Sequence, residues 1–323
     1  MTNDFESSNS QTHTLTQEPN PEYKNSCTCV WGALFFFTLK RRRMFTSKSV
    51  VAITGSAGLL GTVLRQHLQS IGVKVICIDR ATPISQGAPK LHFQPDTTHI
   101  DRTCDFADAT SCLDVFRGCS HVVHLAASGD AGAPMQEEIL PNNIIGMINA
   151  TTAAKHAKVS RFIFASTNHT YHGNTMGEHG TGSFSNDQML RQGGPGNITV
   201  SDPFHPDSNY AVSKVFGESL GSYCSRIEKS FEFVALRIGW CAYDSPNALE
   251  GTIHDEYLKA MYLSKQDFVG YTQAALETNL DAHDGFLAAF AVSNNQTCPF
   301  DIAQSVALLG YTPQHPSKLQ TSK

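Results

Sequence analysis

Charge is scarce in this 323-residue chain and leans negative: 24 Lys and Arg stand against 29 Asp and Glu, and charged residues make up 16% of the total. A chain with no basic excess is poorly suited to track a phosphate backbone, so a nucleic-acid partner is not expected. Long apolar runs are missing too. Val30 to Leu39 spans ten residues, where a membrane-crossing helix needs about 20, so no stable membrane insertion is expected. The basic cluster Lys40-Arg41-Arg42-Arg43 follows that run instead of preceding it, the wrong order for a secretory signal. Nine cysteines include no C-x-x-C pair and no zinc-ligand spacing; they read as reduced thiols of a cytoplasmic protein. None of the fourteen histidines forms H-E-x-x-H or a tight pair on one helical face, which argues against a metal centre.

What the chain does have is 41% apolar residues, enough to bury one large domain, or a core domain with a small appendage. Residues 1–48 do not join that core: residues 1–26 are polar and aperiodic and read as disordered. The apolar and basic stretch after them is either a weak membrane-surface anchor or lies upstream of a start at Met44, the reading preferred here.

From residue 49 a pattern sets in. Val50-Val51-Ala52-Ile53 is a continuous apolar, mostly β-branched run, as expected of a parallel strand covered on both faces. Gly55-Ser56-Ala57-Gly58-Leu59-Leu60-Gly61 follows at once, then a helical segment from Thr62 to Ser70. Strand, glycine turn and helix come in the order a pyrophosphate site requires, because glycines let the backbone approach the phosphates and the helix start offers free N–H groups. A second strand, Val73 to Ile78, runs into Asp79, eighteen residues past Gly61. A carboxylate there can accept hydrogen bonds from the adenosine ribose, which favours NAD over NADP, although the neighbouring Arg80 could tolerate a 2′-phosphate. Asp105 and Phe106 would continue the adenine pocket. Val122 to Ala127 reads as a fourth strand ending in small residues, Asn142 to Asn149 as the opening of a helix, and Arg161 to Ala165 as a fifth strand. The alternation predicts an α/β fold: a doubly wound, mostly parallel sheet of Rossmann type.

Tyr210-Ala211-Val212-Ser213-Lys214 is the sharpest chemical signal. Residues four apart share a helix face, so the Lys214 ammonium can sit near the Tyr210 hydroxyl and lower the pKa of the phenol toward neutrality, as a base for an alcohol needs.

Together these elements resemble the extended short-chain dehydrogenase/reductase superfamily, also described as NAD-dependent epimerases and dehydratases, from about Val50 to Pro313. Ala165-Ser166-Thr167-Asn168-His169-Thr170, Pro206 to Glu218 around Tyr210, Leu236-Arg237-Ile238-Gly239 and Tyr262-Leu263-Ser264 look most like its uronate dehydrogenases. The resemblance implies that Tyr210 removes a proton from a sugar hydroxyl while hydride passes to NAD, that Lys214 assists it, and that Thr167 and Asn168 orient the reacting oxygen. Cofactor contacts are then expected at Gly55, Ala57, Gly58, Leu59, Leu60, Gly61, Asp79, Arg80, Asp105, Phe106, Leu125, Ala126, Ala127, Asn143, Ser166, Tyr210, Lys214 and Ile238. Substrate contacts are expected at Ser128, Thr167, Asn168, His169, Trp240 and Tyr257. An epimerase or dehydratase with an internal redox cycle is the alternative, and a dinucleotide-binding regulatory protein a third reading.

Two positions depart from the uronate pattern. Where those enzymes carry a serine and a carboxylate-pairing arginine, this chain has Trp240 and Tyr257, so uronate is disfavoured as substrate. Residues 49–236 are expected to bind NAD, with a glycine-rich loop at 173–208, and 237–323 to supply a small substrate-binding portion. Only 86 residues follow Arg237, which suits a free sugar better than a nucleotide-sugar. By analogy, the helix carrying Tyr210, with Val215, Phe216 and Leu220, is expected to build a homodimer.

Overall fold

The first β-branched run becomes β1 (Val50–Thr54), flanked on both sides by parallel strands. A computed structural model describes residues 45–46, 48–80, 95–173, 198–241, 259–296 and 298–314. The remaining strands are β2 (Lys74–Asp79), β3 (Arg102–Thr103), β4 (His121–His124), β5 (Arg161–Thr167), β6 (Glu232–Ile238) and β7 (Phe286–Ala291). They form one parallel seven-stranded sheet in the order β3-β2-β1-β4-β5-β6-β7. Strand order reverses between β1 and β4, which opens a crevice at their carboxyl ends.

Helices α1 (Leu59–Ser70), α2 (Ala109–Cys112), α3 (Gly146–His156), α4 (Asn209–Arg226), α5 (Lys265–Glu277) and α6 (Ile302–Leu309) accompany the sheet. Alternate strand residues feed two core layers. Val51, Ile53, Val234 and Leu236 pack with Leu64 and Leu68 of α1 and Phe268 and Leu276 of α5. Ala52, Val122, Phe162 and Phe233 face the other way, toward Met147 and Ala150 of α3 and Cys224 of α4. The central strands are thus apolar on both faces over most of their length, which is why the sequence there reads as nearly unbroken apolar runs.

Helix α4 lies unusually close to the sheet. A Cβ at Gly217 would fall 2.4 Å from the Phe164 ring, and one at Gly221 would fall 2.2 Å from the Phe233 ring. These bare positions let the aromatic ladder Phe162, Phe233 and Phe286, stacked at centroid distances of 5.7 and 5.8 Å, back directly onto the helix. Phe216 and Leu220, read from sequence as part of an outward apolar side, are partly buried against this core instead.

The expected helix opening at Asn142 is displaced. A wide helical segment already runs from Met135 to Ile145 with Pro141 inside it, and continues into α3. Ile139 N–H reaches back five residues to the Pro134 carbonyl at 3.1 Å. Pro141 marks a boundary in the sequence because it donates no hydrogen bond, and here the widened turn carries it without a break. Among the described residues no helix is long and apolar enough to cross a membrane. The N-terminal stretch to residue 44 and most of the 173–208 loop lie outside the described residues.

Candidate active site

The crevice is built first by glycine. Gly55 has φ +66°, and a Cβ there would meet Ala126 N at 2.9 Å. A Cβ on Gly61 would lie 2.4 Å from the Gly55 carbonyl oxygen, so α1 can pack onto the turn only with hydrogen at that position. Gly58, the N-cap of α1, supplies no capping side chain, and the first-turn N–H groups around Leu59 and Leu60 are left to an anion. Gly61→Ala is expected to weaken NAD binding at least about tenfold by forcing the turn apart, measured by nucleotide titration of the folded protein.

Asp79 closes the turn from β2. Its Oδ2 accepts from Ala57 N at 2.8 Å and its Oδ1 from Arg80 N at 2.9 Å. Burial raises its carboxyl above the ordinary value while these bonds oppose the rise. Asp79, Arg80, Cys104, Asp105, Phe106, Ala126 and Ala127 line one cleft, joined by Ala107 and Asn142, which sequence reasoning missed. Arg80 Nη2 donates to Asn142 Oδ1 at 3.0 Å. Leu125 N and Ala126 N each donate to Thr54 Oγ1 at 3.1 Å, pinning the end of β4 beside the turn. Bare backbone, an N-terminal helix end and a carboxylate after β2 together suit a dinucleotide.

Tyr210 and Lys214, the pair expected from the sequence to be catalytic, come from α4. Ser208 caps α4 by accepting from Ala211 N at 3.2 Å, and the first turns then present Tyr210 and Lys214. Lys214 Nζ donates to the Ala165 carbonyl of β5 at 2.8 Å and lies 5.5 Å from the Tyr210 ring centroid. Burial lowers the ammonium to about 7. Tyr210 departs from expectation: burial pushes its phenol up to about 12, with a Thr167 hydrogen bond lowering it and the Asp207 charge raising it. A phenol lowered toward neutrality needs a charged partner directed at it, and Lys214 is directed at a carbonyl. The free protein therefore holds a protonated Tyr210.

Around this pair the turn Asn168–Tyr171, just after β5, gathers polar groups. Thr167 Oγ1 caps it, accepting from His169 N at 3.2 Å. Asn168 Nδ2 sits 2.7 Å from the Met261 thioether. The His169 and His172 rings lie with centroids 4.0 Å apart, tilted by 36°, and both place Nδ1 on Asp207 Oδ2, at 2.8 and 3.1 Å. This corrects the reading that no two histidines pair on one helical face. A spacing of three on a helical turn was the signal, visible only once a turn is known to follow β5.

Several expected contacts take other work. Asn143 receives Ser128 N on its Oδ1 at 2.7 Å and donates from Nδ2 to the Ser128 carbonyl and to Ser213 Oγ, each at 3.0 Å. Its side chain braces the loop after β4 against α4. Ser128 is fully buried, and its hydroxyl donates to Glu138. Ser166 Oγ donates to Glu218 Oε1 at 2.6 Å, tying the end of β5 to α4. Ile238 is buried in the core, and Trp240 pairs with Tyr262 in a short parallel bridge. Tyr257 lies outside the described residues.

Fold and crevice define an oxidoreductase-type dinucleotide site: a glycine turn at the switch point facing a Tyr–Lys helix. The comparisons are in accord. The model of the NAD dependent epimerase/dehydratase family matches residues 51–239. L-arabinose 1-dehydrogenase (NAD(P)(+)) of Haloferax volcanii is 31% identical over 274 residues, covering 82% of this chain and 96% of that protein. Uronate dehydrogenase of Pseudomonas putida is 30% identical over 267 residues, 82% of this chain and 84% of its own. The crystal structure of uronate dehydrogenase from Agrobacterium tumefaciens superposes with a TM-score of 0.61 at 26% identity, over 84% of this chain and 86% of that one. A mutant of that enzyme is known complexed with NAD. The chain belongs to the NAD-dependent epimerase/dehydratase family, close to its uronate dehydrogenases, and is an NAD-dependent dehydrogenase.

Proposed function

We propose that this protein oxidises a hydroxyl of a small free sugar or sugar acid, with Tyr210 as the base that takes the hydroxyl proton. NAD, when bound, supplies the hydride acceptor. The observation that carries the reading is Tyr210 beside Lys214 on α4, with Thr167 at the carboxyl end of β5 in contact with the phenol. Thr167 favours the phenolate through its hydrogen bond, and Lys214 adds to this whenever it is charged. Asn168 and Thr167 would hold the reacting oxygen, and His169, Trp240 and Tyr257 would contact the rest of the sugar. L-arabinose and uronate oxidation by relatives supports the same substrate range.

In this proposal residues 49–236 bind NAD and 237–323 complete the substrate pocket. The homodimer would form through α3 and α4, which leave Ile148 and Val212 exposed, at 43% and 44%. Assaying neutral aldoses, uronates and polyols with NAD tests the function: NADH accumulates with at least one sugar. Conversion of a sugar without NADH would replace the reading with the epimerase alternative, and no conversion of any sugar would remove it.

A further inference from the structure

We infer that Asp207 and His172 fix the tautomer of His169 so that the nitrogen left to the substrate is a hydrogen-bond acceptor, and that this sets the site to read a neutral sugar hydroxyl in preference to a carboxylate. The inference rests on the sugar-oxidising function proposed above and narrows its substrate class.

Carboxylate oxygens accept hydrogen bonds and do not donate them. His169 Nδ1 lies 2.8 Å from Asp207 Oδ2, so that nitrogen carries the hydrogen, and His172 crowds the same oxygen with its Nδ1 at 3.1 Å while its Nε2 lies 3.1 Å from the Met261 sulfur. In a neutral His169 imidazole the other nitrogen, Nε2, then carries a lone pair. Asp207 is held ionised: burial raises its carboxyl, but the bonds from His169 and His172 outweigh this and keep it well below the usual carboxylate range. Its second oxygen accepts from Ser208 Oγ at 2.9 Å, so the carboxylate is fixed from three directions. His172 is buried, and burial holds it neutral by lowering it to about 3. The His172 ring also packs against the His169 ring, centroids 4.0 Å apart and planes inclined at 36°, which limits how far the His169 ring can swing.

His169 Nε2 has no hydrogen bond to any described residue, while its ring stands edge-on to Tyr210 at 5.9 Å. The half of the ring opposite Asp207 is therefore the half left to a ligand at the catalytic phenol. A sugar hydroxyl can donate to that nitrogen. A carboxylate has no hydrogen to give, and its oxygens would face the lone pair. His172 and Asp207 are positioning residues in this account, acting on the substrate only through His169.

Asp207→Asn and His172→Phe test the inference, with His172→Gln as the variant that retains a donor. An asparagine amide can turn its nitrogen toward His169 and release the tautomer. The ratio of kcat/KM for L-arabinose to that for galacturonate is expected to fall at least about tenfold in Asp207→Asn and His172→Phe, mainly through KM for the neutral sugar, and to be restored in His172→Gln. Thermal melting and NAD titration confirm that each variant is folded. An unchanged ratio in folded Asp207→Asn overturns the inference, as does a preference of the unaltered protein for uronates; both leave the oxidation reading standing. Failure of the unaltered protein on every sugar removes that reading itself. The three ligand atoms of this cluster lie within 4.8 Å of one another, a spacing that would also admit a divalent ion. If EDTA treatment changes the ratio, a metal and not a hydrogen on Nδ1 sets the polarity, and the tautomer assignment falls.

Discussion

Tyr210→Phe lowers kcat for sugar oxidation by about 10²- to 10⁴-fold, the range spanned by loss of a positioned acid–base group, and leaves NAD affinity within about twofold. The ring stays: phenylalanine keeps the edge-on contact with His169 and the place of the aromatic face under Lys214 Nζ. Only the hydroxyl is lost, so a fall in kcat without a fall in stability isolates the proton-transfer step. The raised pKa of the Tyr210 phenol in the free protein makes a second demand. With the phenol near 12, its contribution as base in the ligand-free state is small at neutral pH, so kcat/KM should climb as pH rises above 7. A variant retaining more than a tenth of the wild-type kcat would assign the proton to another group.

Glu218→Gln is expected to cost about 3–5 kcal/mol of stability, because it leaves a buried guanidinium without its counter-charge. Arg237 Nε and Nη2 donate to Glu218 Oε1 and Oε2 at 3.0 and 2.8 Å, and both side chains are 3% exposed. The guanidinium also lies 4.8 to 5.4 Å from the ring centroids of Tyr171, Phe204 and Phe290, and Nη1 donates to the Val200 carbonyl at 3.1 Å. With both side chains buried, little solvent is at hand to screen the stranded cation. The double variant Glu218→Gln with Arg237→Met removes the stranded cation and should recover a large part of the loss. Thermal or urea melts of the three proteins read this directly. A single variant within about 1 kcal/mol of wild type would mean that the pair is structurally incidental.

Elements whose residues are neighbours in the chain were legible from sequence. The run Val50 to Gly61 announces strand, turn and helix because each uses a local period or a local glycine requirement. Tyr210 and Lys214 were found for the same reason, being one helical turn apart. What escaped depends on pairings across the fold. His169 and His172 meet Asp207 from 38 and 35 residues away, and Asn168 meets Met261 from 93. Ser166 looked like a cofactor contact by its place after β5, yet its hydroxyl points to Glu218, a partner 52 residues on. The acidity of Tyr210 was misjudged because spacing fixes which groups are near, while burial and the aim of the Lys214 ammonium decide which proton state they favour. Strand limits shifted as well: β4 stops at His124, since Leu125 and Ala126 turn their N–H groups to Thr54.

The flush seat of α4 on Phe164 and Phe233 makes the helix a keyed part. With Gly217 and Gly221 fitted over two rings, it can neither roll nor slide without driving a Cβ into an aromatic edge. Inserting one residue between Tyr210 and Gly217 would rotate the phenol by about 100° around the helix axis while the glycine end stayed locked. Single insertions in that stretch should therefore silence the enzyme, whereas a substitution on the outward side, at Ser219, should pass unnoticed.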